Sequence, residues 1–347
     1  MLYNQAQSNR IISILSIFFL SIFIQSCDQS SNKVLGSKSE SSVDIEIKRF
    51  EKDLFYMNQE QIDTNIAFLK KKYGEFYNVY FLQIMGFGTD KNQGFKYIVS
   101  DFINNTDFKT LVKDCDSIYN EDRMKKLESD IEFVFENYQK VFPNDTLPQV
   151  TTFVSGFSNG IVNTNGYIGI GLDLFLGSEY KFYPSLEFPE YLIRRFTPDH
   201  LVPTLVKGMV NSKFEMEPKN QSLIDQMLYQ GKLLYFMKLM LPETPDSLLI
   251  GYTSAEIKWA EENEANIFQL LVSEDLFSKD VLKYRKYTDE APYTVNLTAD
   301  SAPRIAWFAG WKIIDKYMDE NKNISIEELM NEKDAQKILS LSKYKPN

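Results

Sequence analysis

The sequence predicts a predominantly α-helical α+β protein in which a small β-meander packs against many helices. Helical periodicity covers most of the chain, a short β-branched region lies near its middle, and no long Gly/Pro/Ser-rich linker follows residue 45. The 347 residues are 44% hydrophobic and 25% charged, a composition typical of packed globular proteins. We therefore expect residues 45–347 to fold as a single domain.

Residues 1–26 have the pattern of an export signal. The apolar run from Ile11 to Ile24 follows Arg10 and contains 14 residues. A membrane-spanning helix needs about 20 apolar residues, whereas the shorter run is typical of the apolar core of a signal peptide. The N-terminus therefore predicts export from the cytoplasm.

The signal ends in Ile24-Gln25-Ser26-Cys27, which resembles a bacterial lipobox. The resemblance implies cleavage before Cys27, a diacylglyceryl thioether on its sulfur and a fatty acyl chain such as palmitate on its amine. Several acyl chains on one residue anchor a protein stably, since each buried methylene contributes about 0.8 kcal/mol. Residues 27–44 are Ser-rich and predict a flexible tether. An ordinary signal peptide with a coincidental cysteine is the alternative.

Cys27 and Cys115 are the only cysteines in the sequence. If a lipid occupies Cys27, then Cys115 has no partner within the chain for a disulfide. Asp114 and Asp116 flank Cys115, and neighbouring negative charge raises the pKa of a thiol. We therefore expect Cys115 to be a packed and unreactive residue.

The first half of the ordered chain is predicted to be helical after one short strand. Val43, Ile45 and Ile47 alternate with polar residues, which predicts the strand. Apolar side chains then recur at steps of three and four as far as residue 142, and Gly74 is expected to interrupt one of the helices. The helical segments predicted here are 50–55, 59–85, 95–104, 108–119 and 121–142.

The middle of the chain changes to β-structure. Val150–Ser155 and Tyr167–Leu172 are short, apolar and bounded by turn residues, which indicates strands. Asn165-Gly166 between two apolar runs is a strong hairpin signal. We expect a strand meander over residues 150–172.

Helical periodicity returns in the last part of the chain. Ser301 is expected to cap a helix that has Pro303 in its first turn, because proline is well tolerated there. The helices predicted in this part are 199–214, 221–240, 254–272, 303–319, 325–331 and 334–341.

Charge and histidine content exclude two classes of function. The 38 basic and 48 acidic residues give a formal net charge of −10, which argues against nucleic acid as a partner. His200 is the only histidine, whereas a zinc peptidase of the HExxH type needs two on one helix face. We therefore expect no metal ion, no cofactor and no catalytic residue, and we interpret His200 as a residue of a helical N-terminal turn.

The segment Gly156-Phe-Ser-Asn-Gly160 matches the GxSxG sequence of serine hydrolases, and Asp173 and His200 follow in the order of a triad. In those enzymes a helix begins at the nucleophile, whereas a hairpin sequence follows Ser158. A serine on such a turn lacks the oxyanion hole, so we interpret the segment as a structural turn. A hydrolase that uses Ser158 and His200 is the alternative.

Five glutamates between residues 256 and 274 are a second catalytic candidate. A pair of carboxylates can perform acid–base chemistry when burial raises the pKa of one of them. A solvated helix face is the simpler interpretation. The residues concerned are Glu256, Glu261, Glu262, Glu264 and Glu274.

Residues 180–191 form a long connection rich in aromatic side chains. Such a segment could line a groove that binds a sugar or a peptide, or it could pack as a loop. Both interpretations stay open, so an envelope lipoprotein that binds polymers is a further alternative.

Several short segments share their residues and their order with a known family. They are Phe50–Phe55, Tyr73–Tyr77, Gly169–Gly177, Asp225–Tyr235, Gly251–Thr253, Trp259–Glu264, Pro303–Trp311 and Leu341–Pro346. Together with Cys27 they resemble the gliding motility lipoprotein GldB family over essentially the whole mature chain. The set is more specific than any one segment because the order is kept throughout.

The resemblance implies a lipid-anchored protein of the cell envelope that supports gliding motility and the associated protein secretion. Its partners would be the membrane, through the lipid on Cys27, and other gliding and secretion proteins of the envelope. Protein contacts rather than catalysis would then carry its function. The resemblance also implies a distant kinship with zincin-type peptidase domains. In this degenerate version, Leu201–Val210 would take the place of the zinc-binding helix without its histidines.

Overall fold

The computed structural model describes residues 43–164, 166–216 and 221–346. This part of the chain contains sixteen α-helices and a single four-stranded sheet, which confirms the predicted α+β class with a predominance of helix. The predicted signal, the lipobox with Cys27 and nearly all of the predicted tether lie outside the described residues. Within them, no helix is both long enough and apolar enough to cross a membrane.

The strands and the helices are each numbered in the order in which they occur along the chain. The strands are β1 (Lys48–Arg49), β2 (Gln149–Phe153), β3 (Ile161–Thr164) and β4 (Tyr167–Gly171). The helices of the first half are α1 (Phe50–Phe55), α2 (Ile62–Tyr73), α3 (Glu75–Asn78), α4 (Phe95–Asn104), α5 (Thr106–Ile118) and α6 (Glu121–Val141). The remaining helices are α7 (Glu190–Ile193), α8 (Pro198–Lys213), α9 (Leu223–Met240), α10 (Asp246–Ile250), α11 (Ser254–Glu262), α12 (Glu264–Ser273), α13 (Val281–Thr288), α14 (Ile305–Glu320), α15 (Ile326–Asn331) and α16 (Ala335–Ser342).

The sheet differs from the predicted meander. Its strand order is β1-β2-β4-β3, with β2 parallel to both β1 and β4, and β3 antiparallel to β4. The predicted hairpin is confirmed, because β3 and β4 are consecutive and antiparallel, with Thr164 opposite Tyr167. The meander is wrong because β4, the more apolar and more buried strand, occupies the interior. Strand β3, which carries Asn163 and Thr164, takes the edge.

Helices α2 and α6 begin and end close to their predicted positions. The side chain of Asn120 accepts a hydrogen bond from the Arg123 N–H (3.0 Å) and so caps α6. Gly74 has a φ of +54° and ends α2, as predicted. After the short helix α3, residues Val79–Ile84 continue as a π-helix.

Two predictions for the C-terminal half are wrong. Residues 254–272 form two helices, since α11 ends before Asn263, whose side-chain amide donates to the Trp259 carbonyl (2.9 Å). Ser301 does not cap α14, because its hydroxyl oxygen accepts from the Thr294 N–H (3.2 Å). The residue at the cap position is Arg304, which has a φ of +49°.

Helices α9 and α14 form the most extensive helix pair in the described structure. Gly231 and Gly310 face each other at their crossing, where the two backbones come together closely. Helix α8 packs on α9 and on β3, and α10 packs on both α8 and α9. This arrangement brings the last turn of α10 and the first residues of α14 beside the middle of α8.

Candidate functional site

A cavity of about 290 Å³ opens where α8, α10 and the start of α14 meet the chain that follows β4. We call it the α8 pocket. Most of its wall is apolar, and four ionisable side chains also line it: Arg195, His200, Lys207 and Arg304. The principal apolar side chains are Leu174, Phe175, Phe196, Met237, Leu248 and Leu249.

Helix α8 supplies one wall of the pocket. His200, Thr204 and Lys207 are spaced by four and three residues, so they lie along one helix face. The Nδ1 atom of His200 lies 2.8 Å from the Thr197 hydroxyl. Burial, together with the charge of Arg195, lowers the pKa of His200 to about 4, so this histidine is uncharged at neutral pH.

Arg304 also lines the pocket and is only 1% exposed. Its Nη2 donates to the Ile250 carbonyl (2.9 Å) and to the Gly251 carbonyl (3.3 Å). Its guanidinium carbon lies 4.4 Å from the centre of the Trp307 ring. Lys207 approaches the same ring, with Nζ 4.0 Å from the centre. Two cations therefore share one aromatic neighbour.

Glu290 partly balances this positive charge from beside the pocket. Its carboxylate lies 3.0 Å from Arg195 Nη1 and 3.3 Å from Arg304 Nε. Burial opposes ionisation of Glu290, but Arg304 and Arg195 outweigh it and lower the pKa of this carboxyl. Among the described residues, two arginines and one lysine line the pocket, and no acidic residue does.

Zinc, which the zincin resemblance would imply, does not fit this pocket. A HExxH helix presents two histidines four residues apart, whereas the pairs four apart on this wall of α8 are His200 with Thr204 and Pro203 with Lys207, so neither pair supplies two histidines. No group of three or more His, Cys, Asp or Glu side chains in the described chain is placed to hold a metal ion. The nearby positive charges would also repel a divalent cation.

The structure does not assemble the Ser158 triad. The Ser158 hydroxyl donates to the Ser155 carbonyl (3.2 Å) and accepts from the Asn159 amide (2.8 Å). His200 instead contacts Thr197. Residues 156 and 157 both have positive φ and no helix follows, which agrees with the predicted structural turn.

Asp173 stabilises this turn. It is fully buried, and its Oδ2 accepts from the Phe157 N–H (2.6 Å) and the Ser155 N–H (3.0 Å). Its Oδ1 has no hydrogen-bond partner among the described residues. Burial raises the pKa of Asp173 to about 6, although the two N–H groups oppose that shift.

The glutamates of residues 256–274 are spread over separate contacts and do not form a catalytic pair. Glu256 is buried, caps α11 and makes a bidentate ion pair with Arg194 (2.7 and 2.8 Å). Glu264 accepts from the hydroxyl of Tyr344 (2.7 Å), which holds the C-terminal segment. Glu261 and Glu262 are exposed, as the solvated-face interpretation predicts.

Two tyrosines attach the aromatic connection 180–191 to the rest of the domain. Tyr183 is fully buried, and its hydroxyl donates to the Asp173 carbonyl (2.8 Å). The hydroxyl of Tyr180 donates to the Asp114 carboxylate (2.8 Å). None of residues 180–191 lines the α8 pocket, so the packed-loop interpretation fits better than a binding groove.

Cys115 is a free and fully buried cysteine. Burial, with a smaller contribution from Asp173, raises the pKa of its thiol. The prediction of a packed, unreactive cysteine is therefore consistent with the structure, although burial contributes more than the neighbouring aspartates.

Sequence reasoning missed the cluster formed by Arg195, Lys207, Glu290 and Arg304. Lys207 could have been found, because it follows His200 by seven residues on the face of a predicted helix. Arg195 lies in the connection between α7 and α8, whereas Glu290 and Arg304 lie in the connection between α13 and α14, and only the tertiary structure brings the two connections together.

Comparison with known proteins agrees with the order of the sequence motifs. The family model of the gliding motility protein GldB matches residues 31–346, which is most of the chain. Searches of curated proteins and of solved structures found no match. On the family match, the chain belongs to the gliding motility protein GldB family.

Proposed function

We propose that the protein is a lipid-anchored component of the cell envelope that supports gliding motility and the associated protein secretion through protein contacts. The family match over residues 31–346 carries this proposal. The anchor would be the lipid on Cys27, residues 27–44 would form the tether, and residues 45–347 would form one domain facing the periplasm. Within the residues that the structure describes, neither the Ser158 triad nor a glutamate pair is assembled, which favours contacts over hydrolysis.

One exposed apolar segment of the domain suits such contacts. Val272, Phe277, Val281 and Leu282 are 48, 45, 55 and 78% exposed, and we call this segment the 272–282 surface. Exposed apolar side chains that cluster on a surface are typical of protein interaction sites. The segment joins α12 to α13, so its side chains are close together along the chain.

The backbone of the 272–282 surface is fixed to the core. The Leu276 carbonyl accepts from the Ile224 N–H (2.8 Å), and the Ser278 carbonyl accepts from the Leu223 N–H (3.0 Å). Leu276 itself is buried. These contacts hold the exposed side chains in place before a partner binds, which reduces the entropy lost on binding.

The test is an in-frame deletion in the native host, scored for colony spreading and for the yield of secreted protein. We expect both to fall, and the wild-type gene but not Cys27→Ala to restore them. Leu282→Glu should restore them poorly at normal protein level, because it places a charge in the apolar contact. Lys279→Glu is the control, because it makes a larger change of charge in the same segment, from positive to negative, without removing an apolar side chain.

Two results would contradict the proposal. Normal spreading and secretion in the deletion strain would leave the protein without a role in either process. Full restoration by Leu282→Glu would exclude the 272–282 surface as the contact. Full restoration by Ser158→Ala is expected and would further separate the protein from serine hydrolases.

A further inference from the structure

We propose that the α8 pocket binds a small amphiphilic anion, whose carboxylate or phosphate head lies among Arg195, Lys207 and Arg304 and whose short apolar chain lies against the pocket wall. This inference is independent of the function proposed above. It assigns a ligand class to a cavity for which the family match gives no role.

Lys207 is the first reason to infer an anion. Its nearest described polar or aromatic contact is the Trp307 ring, and no carboxylate within 4 Å pairs with it in the described chain. The nearby Glu290 already contacts both arginines. Burial and the charge of Arg304 lower the pKa of Lys207 to about 7, which disfavours its protonated form. An anion beside Nζ would restore that charge.

Arg304 is the second reason, because the fold holds it in an unusual conformation. Its backbone is left-handed, a conformation that residues with a side chain rarely adopt without support from their surroundings. Its Nε is buried without a well-aligned hydrogen bond in the described structure, although Glu290 is near. The guanidinium is therefore not fully satisfied by the protein, and planar guanidinium groups bind carboxylate and phosphate well.

Gly251 makes room for both arginines. It has a φ of +74°, and a Cβ built on it would lie 3.0 Å from Arg195 Cδ and 3.5 Å from Arg304 Nη2. Any other residue would be strained there and would press against the two side chains. The local backbone thus permits the two guanidinium groups to lie beside the same cavity.

The lining of the pocket indicates the rest of the ligand. Acidic residues outnumber basic ones in this chain, 48 to 38, yet the described lining has three basic residues and no acidic one. The remaining wall is largely apolar and includes Phe175, Phe196 and Leu249. A volume of about 290 Å³ suits a small molecule rather than a polymer. A charged head with a short hydrocarbon chain matches both parts of the wall.

The experiment measures binding of octanoate and octyl phosphate to the mature chain by calorimetry and by Trp fluorescence, since Trp307 contacts two of the cations. Octanol supplies the chain without the charge, and inorganic phosphate supplies the charge without the chain. We expect at least one of the two amphiphilic anions to bind more than tenfold more tightly than octanol. The anion that binds more tightly shows whether the pocket prefers a carboxylate or a phosphate head. Inorganic phosphate should compete only weakly with that anion.

Variants locate the binding. Lys207→Met and Arg195→Gln should each weaken anion binding at least tenfold, whereas Lys207→Arg should retain it. Lys213→Met, on the same helix but outside the pocket, is the matched control and should bind normally. If Lys207→Met fails to fold, Arg195→Gln and Lys207→Arg still test the site.

Three outcomes would overturn the proposal. The first is that neither octanoate nor octyl phosphate binds. The second is that octanol binds as tightly as the anions. The third is that Lys207→Met and Arg195→Gln fold and bind the anions like the wild type.

Discussion

Gly310→Ala should destabilise the protein severely, because it places a methyl group inside the tightest helix contact. A Cβ on Gly310 would lie 1.8 Å from the Met227 carbonyl oxygen and 2.4 Å from its carbon. Real Cβ atoms essentially never come within 3.0 Å of another heavy atom, and both neighbours are backbone atoms of α9. The clash therefore cannot be relieved by rotating a side chain.

The magnitude follows from the movement that the clash requires. Helices α9 and α14 would have to separate by more than an ångström along most of a fully buried interface. Overpacking of a tight core costs about 1–3 kcal/mol and occasionally more, while Ala in place of Gly in a helix returns up to about 1 kcal/mol. Because backbone atoms clash here, we place the overpacking cost above that range, at roughly 4 kcal/mol, which leaves a net loss of roughly 3 kcal/mol in the free energy of unfolding measured with urea.

Gly208→Ala is the matched control within another helix. Its Cβ would meet only side-chain atoms, Ile161 Cγ2 at 3.0 Å and Asn163 Nδ2 at 3.1 Å, which can move by a few tenths of an ångström. We expect a change of about 1 kcal/mol or less. If Gly310→Ala unfolds at the same urea concentration as the wild type, then the contact between α9 and α14 is looser than described and the reasoning is refuted.

Three further predictions concern ionisable groups. The pKa of His200 is about 4 in the folded protein, whereas its ordinary value is 6.5. Between pH 6.5 and pH 4 this histidine is therefore protonated in the unfolded chain but not in the folded one, so the free energy of unfolding falls as the pH drops through that range. In His200→Gln the free energy of unfolding, measured with urea, should fall by up to about 3 kcal/mol less over this pH range than it does in the wild type. An equal fall in the two proteins would contradict the prediction. For Asp173 the sign is opposite, since its folded pKa of about 6 exceeds the ordinary 3.8. As the pH rises from 4 to 7, the free energy of unfolding of Asp173→Asn should therefore increase by roughly 2–3 kcal/mol relative to that of the wild type. A difference between the two proteins that stays constant with pH would contradict the prediction. Octanoate should bind more weakly as the pH rises from 6 to 9, because Lys207, with a pKa of about 7, loses its proton over that range, while Glu290 stays ionised and His200 stays neutral. A flat affinity profile would exclude Lys207 from the anion contact.

Local features of the sequence predicted local structure well. The long apolar stripe of α6, the break at Gly74 and the hairpin around Gly166 each depend on neighbours in the chain, and the structure confirms all three. Periodicity and turn chemistry determine such elements with little help from distant residues.

The features that sequence reasoning missed depend on distant residues. The order of the sheet is set by which strand can be buried, and that depends on the helices packed against it. Asn263 interrupts a helical pattern by bonding to a backbone carbonyl, a choice that composition alone does not reveal. The α8 pocket combines residues 195, 207, 290 and 304, which no local pattern connects.

The pocket and the helix contact are linked through α14. Arg304 directly precedes this helix, and Gly310 allows α14 to lie close against α9. The position of the guanidinium group is therefore fixed by the packing of a helix whose contact residue lies six positions later. Both residues belong to Pro303–Trp311, one of the segments that resemble the family. A segment that is needed for packing thus also places a charged group at the pocket.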